Sequence, residues 1–414
     1  MRKLWILGVV AMVVVLLWGA PYLFSIYPLK RIVEKKIENQ VNGHVTIDHV
    51  RFSWVGPQRL EGVHILTPQI NGVIDLASST VPFWRIGSFV AGLEQINGSG
   101  MTNAKGESGR FSVDAVRLPT QETTVQFSAT QMPTHAILQL LRLDSSLVSA
   151  IGPNFNAKGS TSFLNNAGQF DLDFSSPYTQ ASLKTQFTPR EITLREPLTL
   201  ACYLTPELTQ LLTNGSLSLE SKTPTRLRIE PEGFSYPRPF SLERLQIPTA
   251  SLDLSRVILE HAKLAPLAAM LKANSLTASQ IDMWLTSVDC SLKNGRFEMG
   301  RIDALLADSI HLCGWGKVDL IKDKLNLIFG IPADTLASSL RINNLSSTYV
   351  LQVPVTGSLH NPNIDANSAT AKIALLIAGN QVKKQGGVLG GVATVIGKVS
   401  EDKSPPPKRP FPWE

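Results

Sequence analysis

Between Val45 and Leu359 apolar residues keep returning at every second position, and this period most constrains the fold of the chain. Phe170, Leu172 and Phe174 alternate with Gln169, Asp171, Asp173 and Ser175. The same texture recurs at Phe111 and Val113, with Val116 beyond them, and at Val125–Phe127, Leu183–Phe187 and Ile192–Leu194. It continues at Leu217–Leu219, Leu227–Ile229 and Leu252–Leu254. A period of two is a β-strand, and Gly, Pro, Asn or Ser-Thr clusters bound each run. One apolar and one polar face per strand means a sheet wetted on one side only. Only 17% of residues are charged, against roughly 25% in ordinary soluble domains, and 43% are hydrophobic. Ser, Thr, Asn and Gln fill the difference, which suits exposed strands better than helical surfaces.

Local signals sharpen this reading. Val45 and Ile47 alternate, then Val50, Phe52 and Trp54 alternate in a shifted phase, as a bulged strand would. Gly56-Pro57 turns the chain, and Leu60, Val63 and Ile65 return it. Asn294-Gly295 predicts a tight hairpin and Lys322-Asp323 the next turn. A last strand is expected over Thr348–Leu359, with Pro354 marking an edge or bulge. Short helices are predicted over 133–143, 205–212 and 264–271. The second has Thr205 as cap, Pro206 at its first position and Glu207 in its first turn. No fixed period links them, so repetition is one of style. Short helices cannot cover so many strands, so the sheet must pack as a sandwich or curl around something apolar.

The N-terminus is different. Leu4 to Tyr27 carries no charge, whereas a signal peptide's apolar region runs about 7–15 residues and a helical span needs about 20. Gly19-Ala20, the one small-residue stretch, is followed by Pro21, a poor residue after a cleavage site, and Trp18, Tyr22 and Tyr27 mark an interfacial belt. Residues 1–28 are therefore expected to be an uncleaved transmembrane anchor. Leu29, Ile32, Val33, Ile37 and Val41 follow at helical spacing, so 29–42 is expected as a juxtamembrane amphipathic helix ended by Gly43. Arg2 and Lys3 precede the span; Lys30, Arg31, Lys35 and Lys36 follow it, offset by Glu34 and Glu38. Charge alone leaves the orientation open; the short N-terminal flank favours the body outside the cytoplasm. The β-rich body is expected over 43–366. An apolar, Gly-rich helical segment over 367–399 is broken at Gln381, Lys383, Lys384 and Gln385 into pieces too short to span. A Pro-rich, extended tail occupies 400–414.

Two stretches resemble the AsmA-like family of envelope proteins of diderm bacteria. One is the opening, a single anchor followed by a strand and a hairpin ending in Leu60, Gly62, Val63 and Ile65. The other is a strand pair with Gly316, Val318, Asp319 and Leu320, then Val353, Pro354, Val355, Gly357, Leu359 and Pro362. The resemblance implies an elongated, curved antiparallel sheet folded into an open apolar groove. It implies a role in phospholipid transport between membranes or outer-membrane biogenesis. The implied setting is the inner membrane, single-pass, with the body in the periplasm. The implied partners are phospholipids or other acyl lipids and an outer-membrane protein. A membrane-tethered scaffold with a closed β core is the rival reading.

Chemistry is sparse. The closest histidines, His44, His49 and His64, do not share a face on a regular strand, and Asp171 and Asp173 share the solvent face of theirs. No nucleophile elbow, phosphate loop or metalloprotease motif occurs. The expectation is a non-enzyme with no catalytic, cofactor-binding or metal-binding residue and no cofactor. The net charge of +6 is drawn partly from basic clusters beside the anchor and at Lys398, Lys403, Lys408 and Arg409. Such clusters fit anionic headgroups; without a basic, aromatic-interleaved stripe in the body, nucleic acid is not an expected partner. Cys290 and Cys313 are expected on neighbouring strands, where a disulfide or two buried thiols are both open, and Cys202 is left over.

Overall fold

The computed structural model describes residues 30–378 and 404–414, apart from 32, 36–37, 39–42, 54–55, 67–69, 82–92, 105–106, 142–143, 146, 213–217, 261–279, 344, 360–361 and 366–369. The anchor expected over 1–28, the helix expected over 264–271 and the Gly-rich stretch 386–399 lie outside the described residues. Among the described residues no helix is long and apolar enough to cross a membrane. The chain divides into two compact units, Met1–Pro177 and Tyr178–Glu414.

The first unit is an antiparallel meander in which each strand pairs with the next. It runs β1 (His44–Arg51), β2 (Gln58–Leu66), β3 (Ile70–Ser79), β4 (Leu93–Ala104), β5 (Glu107–Arg117), β6 (Thr123–Pro133), β7 (Asn154–Leu164) and β8 (Ala167–Ser175). No pairing among the described residues joins β8 back to β1, so this sheet is open. Its outer strand, β1, is guarded by the helical turns within 30–38. There the Glu34 carboxylate accepts the Ile47 N–H at 2.9 Å and Glu38 that of Val45 at 3.0 Å. Carboxylates on a free edge satisfy its N–H groups and block pairing with another chain. Val33 of the same helix is buried against Val45, Ile47, Val50, Phe52, Leu60 and Val63.

The second unit is also antiparallel and open. Its strands are β9 (Thr179–Phe187), β10 (Glu191–Leu194), β11 (Leu198–Cys202), β12 (Ser218–Ser221), β13 (Thr225–Ile229), β14 (Tyr236–Pro237), β15 (Gln246–Asp253) and β16 (Arg256–Glu260). They continue as β17 (Gln280–Leu285), β18 (Val288–Lys293), β19 (Arg296–Leu306), β20 (Ile310–Asp319), β21 (Lys324–Pro332), β22 (Val350–Gly357) and β23 (Pro362–Ile364). One row of pairings runs β9, β11, β13, β15, β18, β19, β20, β21, β22, β23. A second row, β12, β16, β17, rejoins it at β19. The second row exists because three strands break in line: at 222–224, at Leu254-Ser255 and at Thr286-Ser287. The fourth, β19, slips register between Met299 and Ile302. We call this line the seam. Backbone groups freed along it find new partners, as Leu285 N–H with Ser255 O (2.8 Å), Thr286 N–H with Asp303 O (2.9 Å) and Asp303 N–H with Thr286 Oγ1 (2.9 Å).

The turns follow their chemistry. Asn294 and Gly295 both take positive φ (52° and 69°) between β18 and β19, the geometry of a two-residue hairpin that matches strand twist. Asp323 (φ 48°) closes the β20–β21 turn. The Pro206–Leu212 helix starts with Leu208 N–H on Thr205 Oγ1 at 3.3 Å. Pro354 sits on β22 just before the short β23 begins to pair, so its missing N–H costs no ladder bond.

One expectation needs correction. Cys290 and Cys313 are not on neighbouring strands, because β19 lies between β18 and β20 and pairs with both. Two strand spacings are about 10 Å, beyond the reach of a disulfide, and all three cysteines are free.

The core of the second unit gathers Leu259, Ile281, Leu306, Ile310, Leu312, Ile331, Leu336, Ile342, Leu351 and Val353. The Ala333–Leu340 helix drops Leu336 onto it, and Ile373 and Leu376 of the helix 370–378 pack beside. Leu336 is 0% exposed and Leu340, one turn on, is 39% exposed. Leu336→Ala should therefore cost about 2–5 kcal/mol in denaturant unfolding, whereas Leu340→Ala should change stability by less than about 0.5 kcal/mol.

Candidate functional site

Directly opposed residues of an antiparallel pair point to the same face, so the register shows how far an apolar face extends. In the first unit it extends across all eight strands. Val45, Ile47 and Val50 lie opposite Ile65, Val63 and Leu60, which lie opposite Gly72, Ile74 and Ala77. Next come Gly100, Gly98 and Ile96, then Phe111, Val113 and Ala115. The row continues as Ala129, Phe127 and Val125, then Ala157, Gly159 and Thr161, and ends at Phe174, Leu172 and Phe170. Thr161 is the one polar member. Within β5 it is Ala115 that follows Val113 on this face; Val116 points the other way.

The opposite face is polar: Ser112, Ser128, Lys158 and Asp173 form one row, Asp114, Gln126, Ser160 and Asp171 the next. Ser112 and Ser128 share a hydroxyl hydrogen bond at 2.7 Å. This places Asp171 and Asp173 where alternation put them, away from the apolar side.

Burial along the apolar face is uneven. Val45, Ile47, Val50, Leu60, Val63 and Ala77 are buried, under the helical turns of 30–38. From β5 to β8, Phe111, Val113, Val125, Phe127, Phe170, Leu172 and Phe174 are only half-buried. Among the described residues, much of the packing over this stretch is supplied by neighbours in the sheet itself. The Phe111 ring lies over Gly100 and the Phe127 ring over Gly159, where a Cβ would collide with the ring. Phe155 and Phe174 stack at 5.2 Å. The Thr134–Leu141 helix packs against β4 and β6, burying Ala136, Leu138, Thr102 and Met132. A hollow of about 460 Å³ in this unit lies on the polar side, by Met101, Arg110 and Ser112.

The histidines of the first unit do not converge. Between Ile47 and Val50 the inward phase shifts, where Gly62, across from Asp48, takes φ 62°. His44 and His49 are consequently both exposed, rather than on opposite faces as a regular strand would place them. His44 meets Glu38 at 2.9 Å and His64 meets Asp48 at 3.0 Å. No group of three metal-ligating side chains occurs among the described residues.

The second unit holds an ion cluster at the seam that the sequence did not single out. Arg301, at the β19 register slip, folds over Asp303, with Nη2 2.7 Å from Oδ1 and Nε 2.9 Å from Oδ2. The two side chains are 7% and 0% exposed. His311 Nε2 lies 2.8 Å from Asp303 Oδ1, and its Nδ1 lies 2.7 Å from Asp334 Oδ2 at the start of the Ala333–Leu340 helix. Both ring nitrogens face carboxylates, an arrangement that favours the imidazolium, the form in which both nitrogens donate. Burial works against that charge, but the hydrogen bonds to Asp303 and Asp334 outweigh it and hold the His311 pKa above its ordinary value. Burial likewise opposes ionisation of Asp334, yet the bond to His311 keeps its pKa below the usual carboxylate range. A histidine bonded on both sides has no free nitrogen to act as a base, and burial pushes the nearby Cys313 thiol to about 12, leaving no thiolate. The cluster is an internal tie rather than a reactive site. A cavity of about 750 Å³ adjoins it, walled by His311, Asp334, Leu345 and Val350 and by Pro405–Lys408 of the tail.

No family model, curated protein or solved structure matches the chain. The AsmA-like resemblance rests on the motifs of the two chain ends.

Because the His311 pKa is raised in the folded state, its contribution to stability is full below about 6.5, the unfolded value, and is lost as pH rises through the folded value. Thermal unfolding followed from pH 6 to pH 9 should show the midpoint falling over that window, and His311→Gln should flatten the slope while lowering stability at pH 6.

Proposed function

We propose that this chain is a membrane-anchored AsmA-like protein of the bacterial envelope. In this reading it takes part in phospholipid transport between membranes, or in outer-membrane biogenesis, by lodging acyl chains on the apolar face of its β-rich body. The observation that carries the reading is the apolar face that runs across all eight strands of the first unit, half-buried from β5 to β8 and rich in Phe. Apolar area left in water costs about 25 cal/mol per Å², so a face this long favours an apolar occupant. Acyl chains would lie against Phe111, Phe127, Leu172 and Phe174 while headgroups stay in water. Transfer down a gradient needs a low-dielectric path and no catalytic residue, which fits a non-enzyme. The uncharged run Leu4–Tyr27 supplies an inner-membrane anchor, with the body in the periplasm and an outer-membrane protein as a further partner. A curved sheet wall that forms an open groove around the lipid belongs to this reading as well.

The rival reading, a tethered scaffold with a sealed core, draws on the second unit. There the same kind of face is capped by the Ala333–Leu340 helix and the helix 370–378, and Leu336 and Leu351 are 0% exposed.

The two readings part on bound lipid. A chain lacking residues 1–28, purified gently from cells, should carry near-stoichiometric phospholipid by mass spectrometry. Phe127→Asp and Leu172→Asp should each strip most of it, and Ser112→Asp on the opposite face should leave it in place. A folded, monodisperse protein without lipid would sink the transport reading and leave the scaffold.

A further inference from the structure

The C-terminal residues 404–414 lie on the second unit without pairing as a strand. Pro405, Pro406, Pro407, Pro410 and Pro412 have no N–H, so nearly half of this segment has no donor to place in a ladder. It is held instead at separate points along the seam. Arg301 Nη1 donates to the Pro406 carbonyl at 3.2 Å. Arg409 donates to Ser287 Oγ at 3.0 Å and forms an ion pair with Asp289. Trp413 meets Trp284 edge-on at 5.0 Å and 82°, and stacks on Phe411 at 5.0 Å and 4°. Phe411, 5% exposed, closes edge-on against the His311 ring at 5.7 Å. The segment also shapes itself: Glu414 accepts from Lys408 Nζ at 2.7 Å and from the Phe411 N–H at 3.1 Å.

These contacts are those of a ligand on a receptor. A proline-rich stretch with few donors, aromatic anchors in a seat and one basic side chain on a carboxylate is how extended peptides are commonly recognised. The seat draws on β17, β18, β19 and β20: Trp284, Ser287, Asp289, Arg301 and His311. Trp284, Leu305 and His311 are opposed in register, whereas Met283, Leu306 and Ile310 face the core. The seat is thus on the face of the sheet away from the core, and it is made of a tryptophan, a carboxylate and the buried ion cluster. A polar sheet face has no need of such a set for its own packing.

We propose that the seam of the second unit is a peptide-recognition site for proline-rich segments of the pattern basic, Pro, aromatic, Pro, Trp. Its resident occupant is the chain's own segment 404–414, docked as a separable element rather than as part of the fold. Residues 379–403 join this segment to the helix 370–378, so the tail is a tethered ligand at high effective concentration. The proposal is independent of the lipid reading, because it concerns a different unit and a different chemistry.

The test uses the full chain in detergent with its tail weakened by Arg409→Glu and Phe411→Ala, and a fluorescent synthetic peptide of residues 404–414. Polarisation should show saturable binding to the weakened-tail chain, and binding at least about tenfold weaker to the unaltered chain, whose own tail fills the seat. Adding Trp284→Ala to the weakened-tail chain should cost about tenfold or more. Asp289→Arg in that chain should lose the peptide and regain it when the peptide carries Arg409→Glu. Absence of saturable binding to a weakened-tail chain that unfolds at its normal temperature would overturn the proposal. Equal binding to both chains would overturn it too, since the tail would not then occupy the seat. Loss of the fold on weakening the tail would make the segment a core element and overturn it as well.

Discussion

In an antiparallel ladder the residues that oppose each other share a face, so one register slip anywhere would turn a strand's apolar side towards water. The architecture of both units depends on that constraint being met strand after strand. In the first unit the apolar row survives eight strands: the phase change at Asp48 opposite Gly62 is a kink shared by β1 and β2, and the register shift between Ile74 and Leu76 absorbs it where β3 meets β4. Glycine does the fine fitting: beneath Phe111 and Phe127 only Gly100 and Gly159 leave the rings room to lie flat on the next strand. The result is a face apolar along its whole width, closed by the helical turns of 30–38 at one end and half-open at the other.

The second unit meets the same constraint differently. Its strands break along the seam, and each break would strand backbone donors and carbonyls if nothing replaced the ladder. Thr286 and Asp303 take over that task, and the buried Asp303 carboxylate is in turn neutralised by Arg301 and His311. A buried charge without such partners would be far more costly than the bond it makes. The seam is therefore a polar hinge line in an otherwise apolar layout, and the tail and its seat gather on it.

Much of the strand layout is legible in the sequence because alternation and turn chemistry are local. Phe170, Leu172 and Phe174, the Asn294-Gly295 turn and the Thr205-Pro206-Glu207 cap all declare themselves within a few residues. The failures are non-local. Cys290 and Cys313 look like neighbours until β19, fitted between two turns, is counted as a full strand. The ion cluster joins residues from β19, β20 and the Ala333–Leu340 helix, and the one advance signal is the pair Arg301 and Asp303, spaced two apart and so on one face of a strand. Composition marks the tail as extended, but nothing in it points to Trp284 or Asp289. Which apolar faces remain uncovered is equally hidden, since a core residue and a lipid-facing residue obey the same alternation; only the packing of the Ala333–Leu340 helix and the helix 370–378 on the second unit separates them.

The proposed path for acyl chains follows one face of the first unit and not the other. A photoreactive amino acid placed in living cells at Phe127 or Leu172, and in parallel at Gln126 or Asp173, tests this directly. Illumination followed by mass spectrometry of the purified chain should reveal phospholipid adducts at the first pair and none at the second. Adducts at neither pair, or equally at both, would overturn the assignment of lipid to the apolar face.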